Sequence, residues 1–422
     1  MNKKKVSIIG GGFSGCASAL LLKKFGYDVT LLEKGEKLGG TNSDIISNKE
    51  TYFNGPHYFN PNSLWAKEMM QYEELKKEFY FFENYKIDKS KEFNFHGSYT
   101  DIFGNVETSN FFAHPITSRK FQKIYKFDKE NTLGERINSY QKNTSSSLKK
   151  WLKKYSINYE RLHSNCAYLL NIGRVCFNKN LDYLVKLKKD DLHADSILGV
   201  PKKKSKLNEE FFISKRGNNY FYKKLYSVLN KQIKIIFNSK VKIKSNGKGK
   251  IEILNGEKKI NSDYIVWAAN PVYPLKELGY GLLDNPVVKV KIYFADIETP
   301  NNSGFENFYI QVFSLKSNIF RIYFYKINKK YKISIETFYD NKNDGLNERH
   351  LKEILSNFKF KFKLKGKFLN KKEVRHYLMT CKDFNTFKKF DNDFKNSNFI
   401  SGGWHLLGRE RKIDYIMKHF NL

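Results

Sequence analysis

The pattern Gly10-x-Gly12-x-x-Gly15, set inside KKKVSIIGGGFSGCASALLLKKFGYDVTLLEKGEKLGG (residues 3–40), constrains this chain more than any other feature. Lys4–Ile9 is a short apolar run, the pattern of a buried parallel strand. An Ala- and Leu-rich helix is expected over Cys16–Phe25, and a second strand over Asp28–Leu32, ending on Glu33. Strand, glycine turn, helix, strand and acid together predict a βαβ dinucleotide unit. In that unit Gly10 allows the tight turn, Gly12 lets the backbone approach a pyrophosphate, and Gly15 seats the helix close to the strand. Ser14, just ahead of the expected helix, is a candidate cofactor contact, and the helix N-terminus offers free N–H groups and a partial positive charge to phosphates. Glu33 is placed to accept from a ribose diol and to repel a 2′-phosphate, which disfavours NADP.

Six residues after Glu33 come Gly39 and Gly40. Glu33-(x5)-Gly39-Gly40 resembles the extended fingerprint of flavoproteins of the amine oxidase, protoporphyrinogen oxidase and UDP-galactopyranose mutase superfamily. The resemblance implies FAD as the cofactor, bound noncovalently, with Lys34, Gly39 and Gly40 beside it. No second GxGxxG follows, which argues against a separate pyridine-nucleotide domain.

At 422 residues the chain can bury a sizeable core, and two domains are the natural expectation. Hydrophobic content of 40% and aromatic content of 16% exclude a disordered chain. No apolar run is long enough to cross a bilayer, and the first strand begins within five residues, leaving no room for a signal peptide. Cys16, Cys166, Cys176 and Cys381 have no CxxC spacing, which suits a reducing cytoplasm and no zinc site. The net charge is +33, with only ten arginines among 76 basic residues. Lysine, asparagine, isoleucine, phenylalanine and tyrosine share A/T-rich codons, so base composition accounts for much of this. The competing reading is a basic surface drawn to an anionic membrane, a nucleotide-linked substrate or nucleic acid. Without a nucleic-acid motif, nucleic acid ranks lowest. The sequence leaves an oligomer open.

Helical spacing is read over Leu64–Phe82, a hairpin over Asn94–Asn105, and a strand and turn over Phe111–Phe121. A helical insertion is read over Leu133–Asp195 and a linker over Gly199–Leu207. A helix then follows Gly217, a hairpin covers Val241–Leu254, and Tyr264–Ala269 is a buried strand. Four β-type runs between Val287 and Asp340 predict an antiparallel sheet. Arg349–Phe358 reads as a helix, and Asn398–Ser401 as a strand leading through Gly402-Gly403 into a last helix. The fold class expected is α/β: a Rossmann-type FAD-binding domain of discontinuous segments, an antiparallel substrate sheet and a helical insertion. Its expected boundaries are 1–95, 206–280 and 391–422 for the FAD-binding parts, 96–205 for the hairpin and insertion, and 281–390 for the substrate sheet.

The resemblance to UDP-galactopyranose mutase becomes specific at GPHYFNPNSLW, carried by Gly55, His57, Phe59 and Trp65. It implies that the loop carrying Gly55 and His57 lies beside the flavin, with His57 setting its electronic state, and that Tyr58 binds substrate together with Arg174 and Arg321. Phe399–Gly403 (FISGG) resembles the family's terminal strand and glycine turn. Arg321, mid-strand among aromatics, is the implied diphosphate cation, against a buried ion pair as the alternative; Arg174 is a second candidate. After Gly402-Gly403 the family has an arginine and a tyrosine-rich segment, whereas this chain has Trp404, with Arg409 and Arg411 further on. Arg409 is an alternative partner for the FAD pyrophosphate. The expected function is a mutase-like FAD enzyme acting on a nucleotide-linked sugar for surface glycan synthesis. It would need an external reductant. The alternative is a flavin oxidase or dehydrogenase.

Overall fold

The computed structural model describes residues 3–55, 59, 61, 63–83, 98–100, 106–107, 132–138, 142–170, 172, 181–190, 210–245, 250–299, 307–312, 315–339, 345–357 and 362–422. The chain opens with β1 (Lys5–Ile9), α1 (Phe13–Lys24) and β2 (Asp28–Leu32), as the fingerprint predicts. A short hairpin follows, β3 (Ile45–Ser47) and β4 (Glu50–Tyr52). Where continuous helical spacing is expected over Leu64–Phe82, the structure has α2 (Leu64–Met69), α3 (Glu73–Lys76) and then a strand, β5 (Phe79–Glu83). The aromatic run FYFF favours an extended chain, and a distant aromatic strand, β8 (Glu210–Ser214), supplies its antiparallel partner. Between them lie β6 (Ser98–Thr100), inside the hairpin expected over Asn94–Asn105, and its antiparallel partner β7 (Val106–Glu107), which falls just past that range. The helices α4 (Leu133–Asn138), α5 (Lys142–Lys154), α6 (Cys166–Leu169) and α7 (Leu181–Asp190) make up the insertion. The expected linker and the expected strand at Phe111–Phe121 lie outside the described residues.

The second half continues with α8 (Asn218–Asn230), β9 (Lys234–Ile236), β10 (Val241–Ser245), β11 (Ile251–Asn255), β12 (Lys258–Ile260), β13 (Tyr264–Trp267) and α9 (Val272–Glu277). It then forms β14 (Val287–Glu298), β15 (Phe308–Gln311), β16 (Ile319–Ile327), β17 (Lys330–Phe338), α10 (Glu348–Asn357) and β18 (Lys363–Tyr377). It closes with α11 (Cys381–Asp393), β19 (Phe399–Ser401) and α12 (Arg409–Lys418).

A parallel sheet in the order β19-β13-β1-β2-β9 forms the first layer. Helix α1 is apolar almost all round because it is covered on several sides: α2 and α12 pack against it as well as the sheet. The second layer is a seven-stranded sheet in the order β18-β14-β17-β16-β15-β6-β7. Strand alternation separates its faces. Ile322, Phe324, Ile333 and Ile335 share one buried cluster with Leu351, Ile354 and Leu355 of α10. Tyr323 and Tyr325 point the other way and stack on Phe53, just beyond β4. The edge strand β18 and the helix α11 have no counterpart in the sequence reading. Strand β18 reads KLKGKFLNKKEVRHY, a lysine-studded pattern suited to an unpaired edge.

Candidate nucleotide crevice

The parallel strands of the first sheet end on one edge, and that edge gathers the predicted glycines. Gly10 follows β1 at φ +108°, and a Cβ there would come 2.9 Å from the backbone N of Ala269, just past β13. At Gly15 a Cβ would fall 1.9 Å from the Gly10 carbonyl oxygen, so only glycine lets α1 rest on the turn. Gly12 differs: its Cβ direction meets nothing within 4 Å. It is the N-cap of α1, in extended conformation, with no side-chain cap and no acidic residue in the first turn. The first-turn N–H groups of α1, that of Ser14 among them, lack an intrahelical partner and carry the positive end of the helix dipole.

The second glycine pair sits across the first. The Gly39 N–H donates to the Gly11 carbonyl at 2.9 Å, and a Cβ on Gly40 would lie 3.3 Å from the Gly12 Cα. At the other flank Gly402 follows β19, its Cβ direction blocked 2.5 Å away by the Trp267 carbonyl oxygen, and Gly403 turns the chain at φ +67°. The structure thus brings Gly10, Gly12, Ser14, Gly15, Gly39 and Gly40 into one cradle, with Gly402 and Gly403 on the same sheet edge.

A cavity of about 840 Å³ opens there, lined by Gly10, Glu33, Lys34, Asn238, Ser239, Trp267, Ala269, Asn270 and Tyr273 among others. It lies outside the carboxyl ends of β1, β2, β9 and β13, where open parallel sheets bind their ligands. Glu33 is more deeply engaged than its position in the fingerprint suggests. One carboxylate oxygen accepts from the Gly11 N–H at 2.6 Å and the other from the Gly35 N–H at 2.7 Å. It braces the glycine loop, and each oxygen keeps a lone pair for a ribose hydroxyl.

Next to the cradle, residues without a sequence signal line up. Asp44 lies four residues past Gly40 and is buried. Its carboxylate accepts from the Asn219 N–H at 2.8 Å, at the start of α8. Burial pushes the Asp44 carboxyl up to about 6, and the amides of Asn219 and Asn218 only partly offset this. The Asn42 side chain donates to the Tyr222 hydroxyl at 3.3 Å, and burial pushes that phenol up. Asn42 and Asp44 belong to a polar run, TNSD, that any loop could contain, which is why sequence alone passes over them.

Phe13, the residue after Gly12, stacks on Phe59 at 5.1 Å and meets Trp65 edge-on at 4.6 Å. The segment carrying Gly55, Phe59 and Trp65 therefore packs against the first turn of α1. His57 and Tyr58 themselves, like Arg174, lie outside the described residues. Arg409 opens α12, and its guanidinium lies 5.1 Å from the Phe13 ring and 4.7 Å from the Phe59 ring. Trp404 turns inward and donates through Nε1 to the Trp267 carbonyl oxygen at 3.1 Å. Arg321 sits on the seven-stranded sheet, 3.6 Å from the Glu336 carboxylate and donating to Gln311 at 3.2 Å. This is the ion-pair arrangement that the sequence leaves as the alternative to a ligand cation.

Residues 8–72 match the NAD(P)-binding Rossmann-like domain family. Among solved structures, reduced UDP-galactopyranose mutase aligns over 99% of this chain and 94% of its own, at 12% identity and a TM-score of 0.63. Putrescine oxidase bound to putrescine aligns over 100% and 99%, at 13% identity and a TM-score of 0.56. A candidate protoporphyrinogen oxidase from Exiguobacterium sp. 255-15 aligns over the full length of both chains, at 13% and 0.57. The fold is theirs. The likeness is one of fold, and the mutase is one neighbour among several. A stretch of 36 residues is 56% identical to 4,4'-diapolycopen-4-al dehydrogenase of Metabacillus indicus, a match that spans 8% of this chain and 7% of that protein. Among the described residues no helix is long and apolar enough to cross a membrane.

Proposed function

We propose that this protein is an FAD-dependent oxidoreductase that removes hydride from a small-molecule substrate. The observation that carries the cofactor assignment is the bare face of Gly12. An uncapped helix N-terminus at Gly12 meets a second glycine pair, and the large crevice begins at Gly10 on the same sheet edge. A dinucleotide diphosphate fits that position by charge and by shape. Glu33 and Lys34 would hold the adenosine end, and Asn238 and Ser239 line the same crevice. FAD, once bound, would supply the two-electron acceptor for a hydride. The chain's own residues hold and orient it. By the resemblance, Gly55 and His57 belong to the loop that serves the flavin, and His57 would tune the cofactor's potential. Arg409, over Phe13, adds positive charge beside the diphosphate.

Oxidoreductase chemistry is preferred over the mutase reaction for a physical reason. A nucleotide-sugar site needs cations directed at a diphosphate leaving group. Here Trp404 replaces the expected arginine and faces the core, while Arg321 is engaged by Glu336 and Gln311. The mutase reading stays second, supported by the full-length likeness to that enzyme. In it, Arg174 and Arg321 hold a UDP-sugar and an external reductant keeps the flavin reduced. A visible spectrum of the purified protein, oxidised and then dithionite-reduced, with UDP-galactose titrated into each form, separates the two. Flavin bands indifferent to UDP-galactose support the oxidoreductase. Perturbation that strengthens on reduction supports the mutase. A colourless protein that cannot be reconstituted with FAD refutes both.

A further inference from the structure

A second cavity, of about 350 Å³, shares no lining residue with the nucleotide crevice. Its walls come from three places: residues 155–162 after α5, the lead-in to β14, and the junction between β18 and α11. The floor is apolar, with Ile157, Leu162, Val288 and Leu378 all buried. The rim is cationic. The exposed Arg161 donates to Asp284 at 3.2 Å, and Lys382 reaches the same carboxylate at 3.0 Å. Two positive charges share one rim carboxylate, and a second carboxylate, Asp383, lies behind it, held by backbone N–H groups.

This cup is braced from behind. Asp383, only 2% exposed, accepts from the Asp284 N–H at 2.7 Å and the Asn285 N–H at 3.1 Å. Its carboxylate also completes the capping box that starts α11. The Leu378 N–H donates to Pro286 at 2.7 Å, and the Cys381 N–H to Arg161 at 3.2 Å. Two non-glycine residues of these walls hold left-handed backbone, Ser156 at φ +56° and Asn285 at φ +38°. Such conformations persist where surrounding structure enforces them, and they cluster at ligand sites. A preformed cup with an apolar floor and a forked cation at its mouth fits one chemistry well.

We infer that this cup binds a small organic monoanion, a carboxylate carrying a medium-length apolar body. The carboxylate takes the guanidinium fork of Arg161 and the body covers the apolar floor. The proposal stands apart from the cofactor assignment. Isothermal titration with octanoate as the probe tests it, on the full chain and three variants. One saturable site is expected in the parent protein. Arg161→Gln, at a side chain 69% exposed, should weaken binding about tenfold or more without lowering the thermal midpoint. Val287→Trp, at a rim position 41% exposed, should fill the mouth and block binding. Gly12→Val should leave octanoate binding unchanged. The inference is overturned by the absence of saturable binding at millimolar octanoate. It is equally overturned by binding that ignores both rim substitutions, or by binding lost with Gly12→Val, which would place the anion in the crevice.

Discussion

Gly12 offers a sharp separation of binding from folding. Its backbone is at φ −72°, ψ −179°, a conformation open to every residue and favourable for valine. Its Cβ direction is empty to 4 Å. Gly12→Val should therefore change the unfolding free energy by no more than about 0.5 kcal/mol, as at an unconstrained surface site. The two added methyl groups would stand in front of the first-turn N–H groups of α1. Losing two or three amide–phosphate bonds, each worth about 1.5–3 kcal/mol, weakens the dinucleotide by at least about 100-fold. Gly15→Ala provides the contrast, because its Cβ collides with the Gly10 carbonyl oxygen at 1.9 Å and must push α1 off the strand. The assay is urea unfolding of the flavin-free proteins, followed by FAD titration read through quenching of flavin fluorescence. A Gly12→Val protein that retains FAD stoichiometrically would falsify the diphosphate position. One that unfolds as readily as Gly15→Ala would show that the open face is not open.

Asp44 should make stability pH-dependent. Its folded pKa, about 6, lies above the ordinary 3.8. The stability it contributes is therefore full below about pH 4 and is lost as pH rises through 6. Asp44→Asn should flatten that slope and gain about 2–3 kcal/mol at pH 7 relative to pH 4. Unfolding curves with the parent slope intact in the variant would exclude Asp44 as the titrating group. Arg321→Leu leaves Glu336, at 1% exposure, without its guanidinium, and should cost about 3 kcal/mol or more. An unchanged thermal midpoint with impaired substrate turnover would instead make Arg321 a ligand-binding residue. Lys332 is fully buried between Asp296 and Glu50, at 2.7 and 2.9 Å. Lys332→Met should destabilise by a similar amount, measured by denaturant midpoint, and Lys332→Arg by less.

The nucleotide layer was legible because its signals are local. Glycine spacing, an apolar strand and an acid at the next strand end all fall within the first 40 residues, and each element appears where it was expected. The four β runs from Val287 were legible by alternation. Strand β5 was not, since its extended form depends on pairing with β8, well over a hundred residues away. Strand β18 escaped because lysines at an edge obscure the period-two signal, and α11 because Phe384, Phe387 and Phe390 sit in a chain rich in phenylalanine throughout. Asp44 and Tyr273 reached the crevice through tertiary folding that no local pattern encodes. Arg321 was read correctly as costly if unpaired, and Glu336 lies beside it on the neighbouring strand.

The parallel sheet also sets a schedule. Its central strand, β1, is made first, yet its neighbour β13 and the flanking β19 belong to residues 264–267 and 399–401. At a synthesis rate of about 5–20 residues per second, β1 waits roughly 20–80 s before β19 can close the sheet. During that interval the apolar edge of β1 and the first turn of α1 are exposed on a nascent chain. The residues that line the crevice, from Ile9 to Glu277, are all translated well before β19, so the crevice walls exist on the ribosome before the sheet gains its last edge strand.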